Sequence, residues 1–302
     1  MLPQTIEIEG MVRHGGEPAD VQGLGPAGVG VKTSMAKPTV IIVGADKGGV
    51  GKTTVSRTML DYFTARNVPI RAFDTEYPKG TLKRFHPDIT EVVDVTQVPD
   101  QMKIFDTLSD AKVTLIDVRA GLLSTTLAAL RDIGFLETVK RGQIALGVAH
   151  IVGPSIASLN EIADIAPFVT DGKYYLVKNF INETSFFDWD QTTYDTYFKK
   201  VKDAVDITIP KLNEMAYEQV ELASVPFVTF VANKGPRDAP ANYSFVLRGY
   251  VRHWLGNVWS EFDRVKLSDL VTPAITPAGK ANEKGLTGRA AAIHEQSRSE
   301  RS

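Results

Sequence analysis

Residues Asp46–Thr54 read DKGGVGKTT. They follow the apolar run Thr39–Val43 (TVIIV) and precede a helix-forming run from Val55 to Phe63. Strand, glycine-rich turn and helix, in that order, are the setting of a phosphate-binding loop. Glycine lets successive backbone N–H groups turn inward with no Cβ in the way, and such a nest of N–H groups holds an anion. The helix behind the loop adds the positive end of its dipole. Lys52 has the reach to contact β- and γ-phosphates, and the Thr53 hydroxyl can hold Mg²⁺.

On either side of this loop, short apolar runs alternate with helical patterns. Strands are predicted at 39–44, 70–73 (ending at Asp74), 92–96, 112–116 (ending at Asp117), 144–152, 174–177, 207–209 and 227–231. Helices are predicted from the loop to about Arg66, then near 99–109, 122–135, 156–168, 190–204, 211–222 and 244–262. Alternation of this kind predicts an α/β fold, a mostly parallel doubly wound sheet with helices on both faces. Ligands bind such sheets at the carboxyl ends of the strands, where Asp74 and Asp117 fall. The glycine-rich segment 1–37 is expected to be a flexible arm, 38–271 the phosphate-loop domain, and the Pro-, Gly- and charge-rich segment 272–302 a disordered tail. The aromatic residues between Phe186 and Phe198 are expected on a helix packed against the core.

Composition narrows the function. The 302 residues carry a net charge of −2, so no global field draws the chain to nucleic acid or an anionic membrane. Cysteine is absent, which excludes disulfides, Cys-ligated zinc and iron–sulfur clusters. The five histidines have no metal-ligand spacing. No apolar run reaches the roughly 18–20 residues of a membrane span, and the first residues lack a basic segment followed by an apolar one. The expectation is a cytoplasmic protein that does not engage the membrane.

The strict pattern G-x-x-x-x-G-K-[ST] is not met, because Asp46 stands at its first glycine. Residues Lys47–Thr53 match instead the form K-G-G-x-x-K-[ST]. In this the chain resembles the ParA/MinD family of P-loop ATPases with a deviant Walker A motif, over roughly residues 38–235. The resemblance implies ATP and Mg²⁺ as cofactors, bound by Lys47, Gly48, Gly49, Val50, Gly51, Lys52, Thr53 and Thr54. It implies that Lys47 reaches the partner's phosphates across an ATP-sandwich homodimer, acting with Lys52 and Asp74 in catalysis. Asp74 corresponds to the switch I aspartate that orients the attacking water, with Glu76 in place of a second aspartate. Asp117 follows VTLI as a Walker B aspartate does, so Thr53, Asp74 and Asp117 form the implied metal side. Gly121, in Val118-Arg119-Ala120-Gly121, corresponds to the γ-phosphate-sensing glycine. Asn179, after YYLVK, corresponds to an asparagine that bonds the adenine edge, with Val225 and Pro226 across the base. Asp46 is a charge inside the motif, placed to act as counter-charge to Lys47.

Related ATPases can be thinned out. Nitrogenase-reductase-like proteins and iron–sulfur carriers need cysteines, and arsenite-pump ATPases carry two copies of the domain. A MinD-type membrane helix does not fit the polar ending RAAAIHEQSRSERS. The expectation is a ParA-like switch that dimerises around ATP and acts on DNA or a protein partner, in plasmid partition, conjugative transfer or cellular positioning. Asp74-Thr75-Glu76, YYLVKNF and ITIPKL are similar to TraL-type ATPases of conjugative plasmids. The alternative is a metabolic ATP-dependent enzyme of the dethiobiotin-synthetase or cobyrinate-amidase type. The Lys47-Gly48-Gly49 triplet favours the switch.

Overall fold

Every residue of Thr39–Gly44 (β1) is buried, as expected of an apolar strand covered on both faces. In the computed structural model this strand is the centre of a seven-stranded sheet. The structure describes residues 37–181, 185–199, 201 and 203–271; the expected arm and tail lie outside them, apart from Lys37. The other strands are β2 (Ile70–Asp74), β3 (Thr90–Val92), β4 (Val113–Asp117), β5 (Ala145–Val152), β6 (Lys173–Asn179) and β7 (Ala204–Ile209). Their order is β3-β2-β4-β1-β5-β6-β7, and every pairing is parallel. The order reverses at β1, and the loop after a strand at such a reversal opens a crevice for ligands.

The helices are α1 (Lys52–Ala65), α2 (Thr81–Phe85), α3 (Val98–Phe105), α4 (Leu123–Asp132), α5 (Phe135–Lys140), α6 (Ile156–Ile165), α7 (Gln191–Tyr197), α8 (Glu214–Ala223), α9 (Phe227–Val231) and α10 (Phe245–Arg264). Strand side chains alternate between two cores. Ile41 and Val43 face one built with α1, α8, α9 and α10; Val40 and Ile42 face the other, built with α3 to α6. The register pairs Asp74 with Asp117, and Val43 with Asp117, so three strand ends meet at one level. Among the described residues no helix is long and apolar enough to cross a membrane.

Several predicted elements are corrected. Residues 227–231 form a helix, not a strand. Phe227 and Phe230 bury together at helical spacing, and the Asp61 carboxylate accepts from the Val228 N–H in the first turn (3.3 Å). A five-residue apolar run fits either period, and tertiary packing decides it. The strand expected at 92–96 lies at Thr90–Val92, because Asp94 turns the chain by accepting from the Thr96 N–H (3.0 Å) and hydroxyl (2.7 Å). The helix expected over 122–135 breaks at Gly134, whose φ of 77° separates α4 from α5. The helix expected over 190–204 ends at Tyr197, and Ala204 already belongs to β7. Phe186 and Phe187 precede that helix, with φ of 48° and 61°. Phe186 is buried, while Trp189 is 75% exposed. The helix at 211–222 starts at Glu214, capped by Asn213, whose Oδ1 accepts from the Ala216 N–H (3.1 Å).

Candidate functional site: a phosphate-loop cavity

The chain leaves β1 at Gly44 and enters α1 at Lys52, so the loop between them sits at the sheet's carboxyl edge. Gly49 and Gly51 take φ of 75° and 84°, conformations that turn the peptide N–H groups inward. A Cβ on Gly51 would lie 2.2 Å from Asn179 Nδ2. That amide supports the loop from below, donating to the Val50 (3.1 Å) and Gly51 (3.4 Å) carbonyls. Asn179 therefore braces the loop, a role the sequence did not disclose.

Above the loop opens a cavity of about 410 Å³. Of the expected residues, Gly49, Gly51, Lys52, Thr53, Thr54, Asp74 and Asp117 line it. Glu76, Lys79, Thr81, Arg119, Ala120 and Tyr217 join them. Lys79, Thr81 and Tyr217 carry no motif, and no sequence signal singles them out.

The charges inside are strained against one another. Burial pushes the Asp117 carboxyl up to about 7; the Asp74 charge adds to this, while Thr53 and Lys52 oppose it. Asp117 Oδ1 is buried with no hydrogen-bond partner among the described residues. Burial also raises Asp74, against the N–H groups it accepts from. Those are Glu76 (2.9 Å, to Oδ1) and Leu82 and Lys83 (2.6 and 3.3 Å, to Oδ2), so Asp74 caps the start of α2. Burial lowers the Lys52 ammonium below its ordinary value, and the Asp117 and Glu76 charges partly restore it. Glu76 accepts a hydrogen bond from the Thr81 hydroxyl, at the wall of the same cavity.

The described residues hold no cluster of three or more His, Asp or Glu able to bind a metal alone. The residues present do fit a metal that keeps its waters and leans on phosphate oxygens, as Mg²⁺ does. They offer one hydroxyl (Thr53) and one orphaned buried carboxylate oxygen (Asp117) in one cavity.

The remaining expected residues lie around this cavity rather than in its wall. Lys47 and Gly48 are exposed, and Lys47 Nζ donates to Ser155 Oγ at the start of α6 (3.4 Å). Val50 is buried in the core beneath. Gly121 has φ of 81°, and its N–H donates to the Ala45 carbonyl (3.2 Å). The expected pairing of Asp46 with Lys47 is absent. Asp46 Oδ1 instead accepts from the Leu123 (2.9 Å) and Ser124 (3.3 Å) N–H groups of α4.

A second cavity, of about 160 Å³, adjoins the first through Thr54 and is lined by Asn179, Pro210, Leu212, Tyr217, Glu218 and Trp254 among others. The Trp254 indole N–H donates to the Pro210 carbonyl (2.6 Å), which fixes its ring. Val225 and Pro226, expected here, line neither cavity: Val225 is core, and Pro226 precedes α9. The sequence reading missed Trp254 because it fits the packing stripe of α10 equally well.

No protein-family model matches the chain, and no curated protein matches it in sequence. The solved structures it resembles include MinD- and ParA-family proteins at low identity. A ParA family ATPase from Chlorobium tepidum TLS is 14% identical, with a TM-score of 0.44, over 72% of this chain and 98% of that one. The MinD cell division protein of Aquifex aeolicus is 14% identical, with a TM-score of 0.42, over 72% and 97%. A plasmid partition protein from Borrelia burgdorferi is 12% identical, with a TM-score of 0.42, over 76% and 99%.

Proposed function

We propose that this chain is a ParA-like molecular switch that binds and hydrolyses ATP with Mg²⁺ and dimerises around the nucleotide. The observation that carries the reading is the gathering of Lys52, Thr53, Asp74 and Asp117 around one cavity behind two left-handed glycines. Those residues come from three separate elements, and phosphoryl transfer needs little more than such positioning and charge stabilisation. Lys52 holds the β- and γ-phosphates. Thr53 and Asp117 hold Mg²⁺, directly or through its waters. Asp74 orients water for attack on the γ-phosphorus; the bond to the β-γ bridging oxygen breaks, and ADP and phosphate leave.

The second cavity takes the base. Pro210 and Trp254 supply apolar walls, and Asn179, whose NH₂ is given to the loop, keeps a carbonyl oxygen that suits the amino group of adenine. Lys47 is exposed beside the loop and, on exchanging its 3.4 Å hydrogen bond to Ser155 Oγ, reaches a second copy of the chain, where a lysine supplied in trans works as an arginine finger does. The dimer then engages DNA or a protein partner, and hydrolysis resets it. Partition, conjugative transfer and positioning are the roles this cycle serves.

Lys52→Ala is expected to abolish nucleotide binding, read by equilibrium titration of ATP with Mg²⁺. Tight binding retained by that variant would sink the reading. Removing Mg²⁺ with a chelator is expected to stop phosphate release.

A further inference from the structure

Asp46 stands where the commoner phosphate-loop pattern has glycine, and a carboxylate pointing at bound phosphate would repel it. In the structure it points away. Its Oδ1 accepts from the first-turn N–H groups of α4, Leu123 at 2.9 Å and Ser124 at 3.3 Å. Helix α4 has no cap of its own: the residue before it is Leu122, which offers no acceptor, and its first turn holds no acidic side chain. The cap comes instead from a residue 77 positions earlier in the chain, inside the phosphate loop.

The same neighbourhood is tied by backbone. The Val118 N–H donates to the Val43 carbonyl (2.8 Å) and the Gly121 N–H to the Ala45 carbonyl (3.2 Å). A Cβ on Gly121 would sit 3.7 Å from the Asp46 carbonyl oxygen. On its other side, the Asp46 N–H donates to Glu161 Oε2 (3.3 Å). That oxygen also meets His150 Nε2 (3.4 Å), and His150 Nδ1 meets the Tyr174 hydroxyl (2.8 Å). Asp46 is thus held in place through its N–H and holds α4 through its carboxylate. Segment 117–121 runs from the end of β4 towards the start of α4, and its Asp117, Val118, Arg119 and Ala120 line the phosphate cavity.

We propose that Asp46 is a positioning residue that clamps the start of α4 to the phosphate loop, so that segment 117–121 is preorganised to meet a γ-phosphate. The proposal rests on the nucleotide reading above. ADP and ATP share the base, the loop contacts and the metal side; on that reading the γ-phosphate, which ADP lacks, is the group that meets Val118, Arg119 and Ala120 in the cavity wall. The clamp therefore contributes to ATP affinity more than to ADP affinity.

The test compares wild type, Asp46→Ala and Asp46→Asn. Asparagine keeps an oxygen acceptor for the α4 amides, and alanine does not. In nucleotide-free protein, Asp46→Ala is expected to speed hydrogen exchange at the Leu123 and Ser124 amides while leaving Ile41 in β1 unchanged. Asp46→Asn is expected to restore the slow exchange. In titrations with ADP and a non-hydrolysable ATP analogue, Asp46→Ala is expected to lower the affinity ratio in favour of the triphosphate about tenfold, and Asp46→Asn to recover it. Equal loss for both nucleotides, or unchanged exchange at Leu123 and Ser124, overturns the assignment. If wild type binds neither nucleotide, the nucleotide reading fails and the coupling with it, and the exchange data alone then judge the clamp to α4.

Discussion

Gly51 is where the glycine-rich loop meets its brace. Its φ of 84° disfavours any Cβ, and the space beyond is filled by Asn179 Nδ2 at 2.2 Å. Gly51→Ala combines backbone strain of about 1–3 kcal/mol with displacement of that amide. Asn179→Ala removes the donor to two loop carbonyls, at a cost of about 1–3 kcal/mol. The two changes are expected to be less than additive by about 1 kcal/mol, because removing Asn179 opens the space a Cβ needs. Urea unfolding of the four-variant cycle checks this; strict additivity would show that the two residues do not bear on each other. The loop's motif is legible residue by residue. Its support is not, because Asn179 lies 128 positions away and an asparagine at a strand end has many uses.

At the scale of elements, α1 is anchored away from the end that meets the glycine-rich loop. Arg57 is 1% exposed, its guanidinium lies between the Phe85 and Phe227 rings (3.4 and 4.2 Å to the centroids), and it pairs with Glu221 of α8 (2.7 Å). Arg84 of α2 reaches the same carboxylate. Glu221→Ala strands a buried cation and is expected to cost about 3 kcal/mol, read as a lowered urea midpoint. A loss below about 1 kcal/mol would mean that Arg57 finds other partners.

One turn along, Asp61 sits at the start of α9, and burial pushes its carboxyl from 3.8 up to about 7. The folded chain then keeps a proton that the unfolded chain releases above about 4. This contribution to stability is full below about 4 and is lost as pH rises through about 7. His86, facing the same cluster, works the other way: burial lowers it to about 3, so its contribution is present above 6.5 and lost as pH falls through about 3. Asp61→Asn cannot ionise. Its stability relative to wild type is therefore expected to improve between pH 5 and pH 8. A difference that is flat, or falls, over that window would contradict the assignment. The run 227–231 has the apolar pattern of a strand; the carboxylate at the start of α9 and the burial of Phe227 with Phe230 are facts of tertiary packing.

The whole molecule presents its loop, its cavity and an exposed Lys47 at one edge of the sheet. Lys47→Ala is expected to leave nucleotide affinity within about twofold while removing dimerisation driven by a non-hydrolysable ATP analogue; size-exclusion chromatography with light scattering reads both states. A wild-type chain that stays monomeric with the analogue would argue against the sandwich. If the dimer binds DNA, gel shifts should weaken steeply with salt, since neutralised phosphates release counterions.

The sequence by itself determined the parallel doubly wound sheet, the strand–loop–helix at Asp46–Thr54, and the placing of Asp74 and Asp117 at strand ends. These are local: they follow from apolar runs too long and uniform for one-sided strands, and from glycines at fixed spacing. Only the tertiary structure decided that Asn179 braces the loop, that Trp254 and Pro210 wall the second cavity, and that 227–231 is helical. It alone also decided that Asp46, adjacent to Lys47 in the chain, turns from it to cap α4. The reason is the same in each case. A side chain's partner is set by which orphan donors and which space the fold brings to it, and residues far apart in sequence supply both.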